Sequence, residues 1–210
     1  MTTAVLIRTP DGRLRADHNA ISAVALAERS PSARGATVSL LGLRAVVTGG
    51  AGFIGSTVVD ALVAHGADVL VIDDLSRGAR ANLERVLGCG VRLAELDIRD
   101  GRAIADAFHS FRPELVFDLA AQIDVRVSMD EPARDAAVNV IGSVNVFSAA
   151  HAAGVRRVVN TSTGGAIYGE TDVVPHSGGG ACRPHLALRS EQAQRRALCP
   201  LVFECSAWMW

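Results

Sequence analysis

The sequence predicts an α/β fold, a doubly wound parallel sheet covered by helices on both faces, and three observations predict it. A short apolar strand runs directly into a glycine-rich turn at residues 44–55 (RAVVTGGAGFIG). A second apolar run, residues 68–73 (DVLVID), follows one helix-length later and ends in an acid. From residue 44 to residue 161, strand-like and helix-like segments alternate, which calls for parallel strands joined by crossover helices.

Each element has its own justification. Ala45, Val46 and Val47 supply the first buried strand, and Phe53 and Ile54 begin a helix that runs to His65. Residues 68–73 form the second strand, residues 91–96 the third, and residues 101–110 the helix after it. Residues 115–120 form the fourth strand. A long helix over residues 132–153 leads to a fifth strand at residues 155–161, after which Ser162, Thr163, Gly164 and Gly165 make a polar turn. In open sheets of this kind the ligand cleft lies outside the carboxyl ends of the strands. Those ends present Gly49, Asp73, Asp97, Ala120 and Ser162.

Gly49, Gly52 and Gly55 recur at every third residue between strand and helix. The first permits a tight turn, the second lets backbone approach a pyrophosphate, and the third lets helix and strand pack closely, with the helix N-terminus facing the anion. The segment therefore reads as a dinucleotide phosphate cradle. A glycine turn that only packs a helix on a strand is the simpler alternative, and the strand-turn-helix-strand-acid context argues against it. Asp73, followed by Asp74, lies about 20 residues beyond the glycines, where a carboxylate accepts hydrogen bonds from the adenosine ribose. This favours NAD, because a carboxylate repels a ribose 2′-phosphate; Arg77, four residues on, leaves NADP open.

At 210 residues and 49% hydrophobic, the chain can bury one good core and at most a fragment of a second domain. A formal charge of -1 with scattered arginines excludes a nucleic-acid surface. No apolar run approaches the roughly 18 residues a membrane helix needs, and Asp11, Asp17 and Glu28 stand where a signal peptide would be apolar. A cytoplasmic protein without membrane contact is expected. Cys89, Cys182, Cys199 and Cys205 lack zinc-type pairing and read as free thiols, with no metal site. The chain contains no lysine.

Three regions follow. Residues 1–43 form an N-terminal extension, with a weak helical pattern around residues 21–28 broken by Pro10, Gly12, Pro31 and Gly35. It reads as a disordered arm or a start codon placed too far upstream, Val38 being one alternative start. Residues 44–175 form the nucleotide-binding Rossmann domain, and residues 176–210 an aberrant tail.

Residues 44–175 resemble the extended short-chain dehydrogenase/reductase family, and within it the NAD-dependent nucleotide-sugar epimerases and dehydratases, most nearly the UDP-glucose 4-epimerases. The resemblance rests on TGGAGFIG, VIDDLSRG, LDIRD, DLAAQ, NVIGSVNV and TSTGGAIYGE. It implies bound NAD and a nucleotide-sugar substrate. The sugar would be oxidised transiently at C4, the ketose would rotate, and hydride would return to its other face. By the same resemblance Asp97 and Ile98 flank the adenine, Leu119, Ala120 and Ala121 line the nicotinamide ribose channel, and Asn139 braces the strand ends. The plainer role for Asn139 is a helix-face amide bonded to a neighbouring loop. Asp118 departs from the family, where many members carry histidine before Leu-Ala-Ala. A homodimer through the long helix is also implied, although the helix that would partner it is missing.

Members of the family use a tyrosine base, a lysine four residues later that lowers its pKa, and a Ser or Thr hydroxyl. Thr163 or Ser162 supplies the hydroxyl here, although counting back from Tyr168 and Gly169 puts that position at Gly164. Tyr168 is the only tyrosine; it falls in the family's substrate-side Tyr-Gly pair, and Asp172 stands four residues on. The dyad cannot be completed, so NAD binding without catalysis is expected. After Pro175 the character of the sequence changes. Shifted by one base at His176, the tail can be reread as Thr-Pro-Glu, and residues 186–193 (LALRSEQA) as Ser-Pro-Tyr-Gly-Gln-Ser-Lys, in the order the family requires. This predicts a Rossmann domain incomplete at its C-terminal side, without the substrate domain, from a frame-shifted epimerase gene. One alternative is a non-catalytic NAD-binding sensor or partner subunit with a genuine tail. Another is a dehydratase or decarboxylase fragment, disfavoured because TSTGGAIYGE lacks the acidic pair of dehydratases.

Overall fold

Strands of a parallel sheet covered on both faces read as continuous apolar runs rather than alternating ones, and Val46, Val47, Val69, Val71 and Ile72 are all buried. A computed structural model describes residues 4–8, 14–17, 40–162 and 206–209. In chain order the strands are β1 (Ala4–Arg8), β2 (Leu14–Asp17), β3 (Arg44–Thr48), β4 (Asp68–Asp73), β5 (Arg92–Glu95), β6 (Leu115–Asp118), β7 (Arg157–Ser162) and β8 (Ser206–Met209). The helices are α1 (Phe53–Ala64), α2 (Glu84–Leu87), α3 (Gly101–Phe111), α4 (Val125–Asp130), α5 (Pro132–Ala136) and α6 (Ser143–Ala152).

The sheet order is β2-β1-β8-β7-β6-β3-β4-β5. β7, β6, β3, β4 and β5 are parallel neighbours throughout. The chain thus builds outward from β3 through β4 to β5, then returns to β6 and β7 on the other side. The reversal falls between β3 and β6, the topological switch point at which such sheets bind ligands.

Two apolar layers hold helices to the sheet. On one face Val47, Val71, Phe117 and Val159 pack with Val59 and Leu62 of α1 and with Leu83 and Val86. On the other, Val46, Ile72, Val116 and Val158 pack with Ile104 and Phe108 of α3 and with Val146 and Phe147 of α6. Asp100 caps α3 by accepting from the Arg102 and Ala103 backbone N–H groups at 3.1 and 3.0 Å, the arrangement that satisfies otherwise unpaired donors at a helix start.

The expected long helix is divided. Pro132 opens α5, residues Ala137–Gly142 form a π-helical turn, and α6 continues from Ser143. The short helices α2 and α4 were not anticipated. Neither were the strands in the terminal regions: β1 pairs antiparallel with β2 and with β8, and β8 runs parallel to β7. Asp11-Gly12, a hairpin-turn dipeptide lying in sequence between β1 and β2, is the signal for that hairpin. The expected helical pattern at residues 21–28, the cysteines at 182 and 199, Thr163, Tyr168 and the tail up to residue 205 lie outside the described residues.

Candidate functional site

Gly49 follows β3 directly with φ +65°, a left-handed conformation that L side chains adopt at a cost. A Cβ there would lie 2.8 Å from the Ala120 backbone nitrogen. The glycine turn and the loop after β6 therefore touch at the switch point, with room for backbone only. Gly52 follows in extended conformation and no side chain caps α1, whose first turn carries no acid. Among the described residues no side chain caps the positive end of this twelve-residue helix, which suits it to an anion. Gly55, buried in the first turn of α1, faces the Gly49 carbonyl oxygen, and a Cβ added there would lie 2.7 Å from the Gly50 Cα, a clash with backbone. Phe53 projects into solvent and Ile54 is half-buried.

The acid ending β4 is integrated with this turn. Asp73 is buried, its Oδ2 accepting the Ala51 N–H and its Oδ1 the Leu75 N–H, each at 2.9 Å. A carboxylate offers about four acceptor positions, so each oxygen retains a lone pair for a hydroxyl. Leu75 holds φ +57°, an uncommon conformation for a branched residue of the kind that collects at binding sites. Asp74 turns the other way: its Oδ1 accepts from Ser76 N–H and Oγ at 3.0 and 2.6 Å. Asn82 donates to the Ala51 carbonyl at 2.7 Å and fastens the loop after β4 to the glycine turn.

After β5, Asp97 and Arg99 form a closed pair. The Arg99 guanidinium, bonded to both carboxylate oxygens at 3.0 and 2.8 Å through Nε, holds the Asp97 carboxyl below its ordinary value, while Asp97 raises Arg99. Ile98 is buried, and Asn145 of α6 donates to the Ile98 and Arg99 carbonyls at 3.0 and 3.1 Å.

The loop after β6 is held from two sides. Thr48 Oγ1 donates to Asp118 Oδ1 at 2.6 Å and accepts the Leu119 and Ala120 N–H groups at 3.2 Å. Asp118 is fully buried, and its carboxylate is met by this threonine of the adjoining strand. From the helix side, Asn139 bonds both backbone groups of Gln122 and donates to Asp135 Oδ1 at 3.0 Å. Asp135 is buried too, accepting from Gln122 Nε2 at 2.9 Å and Ser128 Oγ at 3.0 Å. Ala121 continues this loop, half-buried.

At the end of β7, Ser162 Oγ and both ends of the Asn160 side chain are buried and find no hydrogen-bond partner among the described residues. Asn160 pairs in register with Asp118. The structure thus brings Gly49, Gly52, Gly55 and Asp73 together with Leu119 and Ala120 around one switch point, with Asp97 and Ile98 one strand further out beyond β4. Sequence reasoning gave no role to Thr48, Asn82, Gln122, Asp135 and Asn145, although Thr48, Gln122 and Asn145 lie within the TGGAGFIG, DLAAQ and NVIGSVNV segments. The arrangement fits a dinucleotide: an uncapped helix end beside a turn that admits only backbone, with a buried carboxylate on the adjoining strand.

Comparison with known proteins agrees with this geometry. The model of the family described as NAD dependent epimerase/dehydratase matches residues 45–185. A UDP-glucose 4-epimerase of Mycolicibacterium smegmatis is 46% identical over 136 residues, covering 64% of this chain and 43% of that protein. The structure of a Thermotoga maritima UDP-glucose 4-epimerase with UDP-glucose superposes with TM-score 0.72 at 38% identity, over 76% of this chain and 51% of that one. A Thermus thermophilus UDP-glucose 4-epimerase in complex with NAD gives TM-score 0.71 at 38% identity, over 76% and 50%. The chain therefore spans about half the length of the proteins it resembles. With the family model covering more than half of its residues and the fold shared with solved members, this chain belongs to the NAD dependent epimerase/dehydratase family.

Proposed function

We propose that this chain is the NAD-binding half of a nucleotide-sugar 4-epimerase and that, as a 210-residue protein, it binds NAD without epimerising a sugar. The observation that carries the reading is the Asp73 carboxylate bonded into the glycine turn at Ala51 N–H, beside the open N-terminus of α1. In this reading the α1 terminus and the turn carry the pyrophosphate, Asp73 receives the adenosine ribose hydroxyls, and residues 97–98 border the adenine. Residues 119–121, held by Thr48 and Asn139, border the nicotinamide ribose. Bound NAD would supply the hydride acceptor and donor for chemistry at the sugar C4. Ser162, or the neighbouring Thr163, is the hydroxyl available to the sugar.

Proton removal from a sugar hydroxyl at neutral pH needs a base whose pKa has been brought down. A tyrosine achieves this with a cation beside it, and the chain has one tyrosine and no lysine. Native mass spectrometry should show NAD retained by the protein, and a coupled UDP-galactose assay should show no turnover. Turnover by the purified chain would end the inactive reading.

We assign residues 44–175 to this unit and residues 176–210 to translation out of frame, with residues 1–43 an extension ahead of it. Sequencing the gene from the codon for Gly165 to several hundred bases past that for Trp210 tests this: a shifted frame encoding Tyr-x-x-x-Lys and then a long open frame is expected. A second reading, a non-catalytic NAD-binding partner protein, is favoured by one observation, the parallel pairing of Ser206–Met209 with β7. Strong amide protection across residues 206–209 would favour it. Among the described residues no helix is long and apolar enough to cross a membrane, in keeping with a cytoplasmic location. Ile141 and Val144 expose apolar surface on the long helix, where a homodimer would form.

A further inference from the structure

Arg77 follows Asp73 by four residues in the loop after β4, the position from which an arginine can receive a ribose 2′-phosphate. It is engaged elsewhere. Its Nη2 donates to Asp124 Oδ2 at 3.1 Å, and Asp124 belongs to the loop after β6. Because β3 lies between β4 and β6, this contact passes over the end of β3, where the glycine turn sits.

Asp124 is held for the purpose by neighbours that owe nothing to Arg77. Gln122 Oε1 accepts its N–H at 2.6 Å, and Gln122 Nε2 donates to its carbonyl at 2.9 Å. Its Oδ1 accepts the Arg126 N–H at 2.9 Å and caps α4. Only Oδ2 is left, and it faces the guanidinium. Gln122 is itself fixed by Asp135 and Asn139.

We propose that Asp124 is a cofactor-specificity residue: it draws Arg77 across the cleft and withholds it from the adenosine ribose, so that a 2′-phosphorylated dinucleotide finds the carboxylate of Asp73 without a compensating cation. Discrimination against NADP then depends on a residue 47 positions from the arginine it controls. This inference rests on the dinucleotide reading above.

The test is calorimetric titration of the full chain with NADH and NADPH. Asp124→Asn keeps the cap and the shape, since asparagine also caps helices, and removes the charge. An exposed ion pair is weak, so the NADPH-to-NADH affinity ratio should rise by about fivefold. Arg77→Gln alone should leave the ratio near that of the unmodified protein, and Arg77→Gln combined with Asp124→Asn should cancel the gain. NADH binding with an unchanged ratio in Asp124→Asn, or a gain that persists in the double variant, overturns the inference and leaves the dinucleotide reading intact. If the unmodified chain binds neither nucleotide, both fall.

Discussion

Asn139 Oδ1 accepts the Gln122 backbone N–H at 2.9 Å while its Nδ2 donates to the Gln122 carbonyl at 3.1 Å. One helix side chain thus serves the loop after β6 as a neighbouring strand would. The same Nδ2 also donates to buried Asp135, so the amide satisfies a fully buried carboxylate and the backbone of half-buried Gln122 together.

Replacing Asn139 with alanine should therefore cost about 3 kcal/mol in urea unfolding, because each buried group left unpaired costs roughly 1–3 kcal/mol. Asn139→Asp should be no better: a carboxylate cannot donate to the Gln122 carbonyl and would face Asp135. Stability near the unmodified value in either variant would show that the loop finds other partners.

Gly55→Ala should destabilise by about 2–3 kcal/mol, as overpacked buried positions do, since the obstructing atoms are the Gly49 and Gly50 backbone and not a movable side chain. Thermal unfolding monitored by circular dichroism measures it. A variant as stable as the parent would mean that the turn can open, and the close packing of α1 on β3 would be refuted.

The Asp97–Arg99 pair sets a pH dependence. Asp97 has a folded pKa below the ordinary 3.8, chiefly through its hydrogen bonds from Arg99. Its contribution is therefore complete above that value and is lost as the pH falls through the folded pKa. The stability gap between the unmodified protein and Asp97→Asn should be constant from pH 7 to 5 and close below pH 3.8. A gap that persists undiminished in acid would assign the effect to packing.

Much of the site was legible because its signals are local. Gly49 is required by a positive φ and Asp73 by a fixed distance from the glycines, and both requirements are written in neighbouring residues. What escaped depends on contacts between distant segments. Asp135 reads as a solvated charge on a helix, yet it is buried by Ser128, Gln122 and Asn139. The π-helical turn at Ala137–Gly142 is hidden because one wide turn hardly disturbs an apolar pattern read over residues 132–153. Thr48 gives no signal in isolation; it matters because β3 and β6, which are 70 positions apart at Thr48 and Asp118, lie side by side.

In the function proposed above, the switch point between β3 and β6 binds a dinucleotide through Asp73 and the glycine turn. Titrating NADH into the 210-residue chain by isothermal calorimetry, alongside Asp73→Asn verified as folded, tests it most directly. Saturable binding at one site, weakened at least about tenfold in Asp73→Asn by loss of a charged hydrogen bond, is the predicted result. Absence of binding to the unmodified chain, or equal binding by the variant, would overturn a dinucleotide site at Asp73.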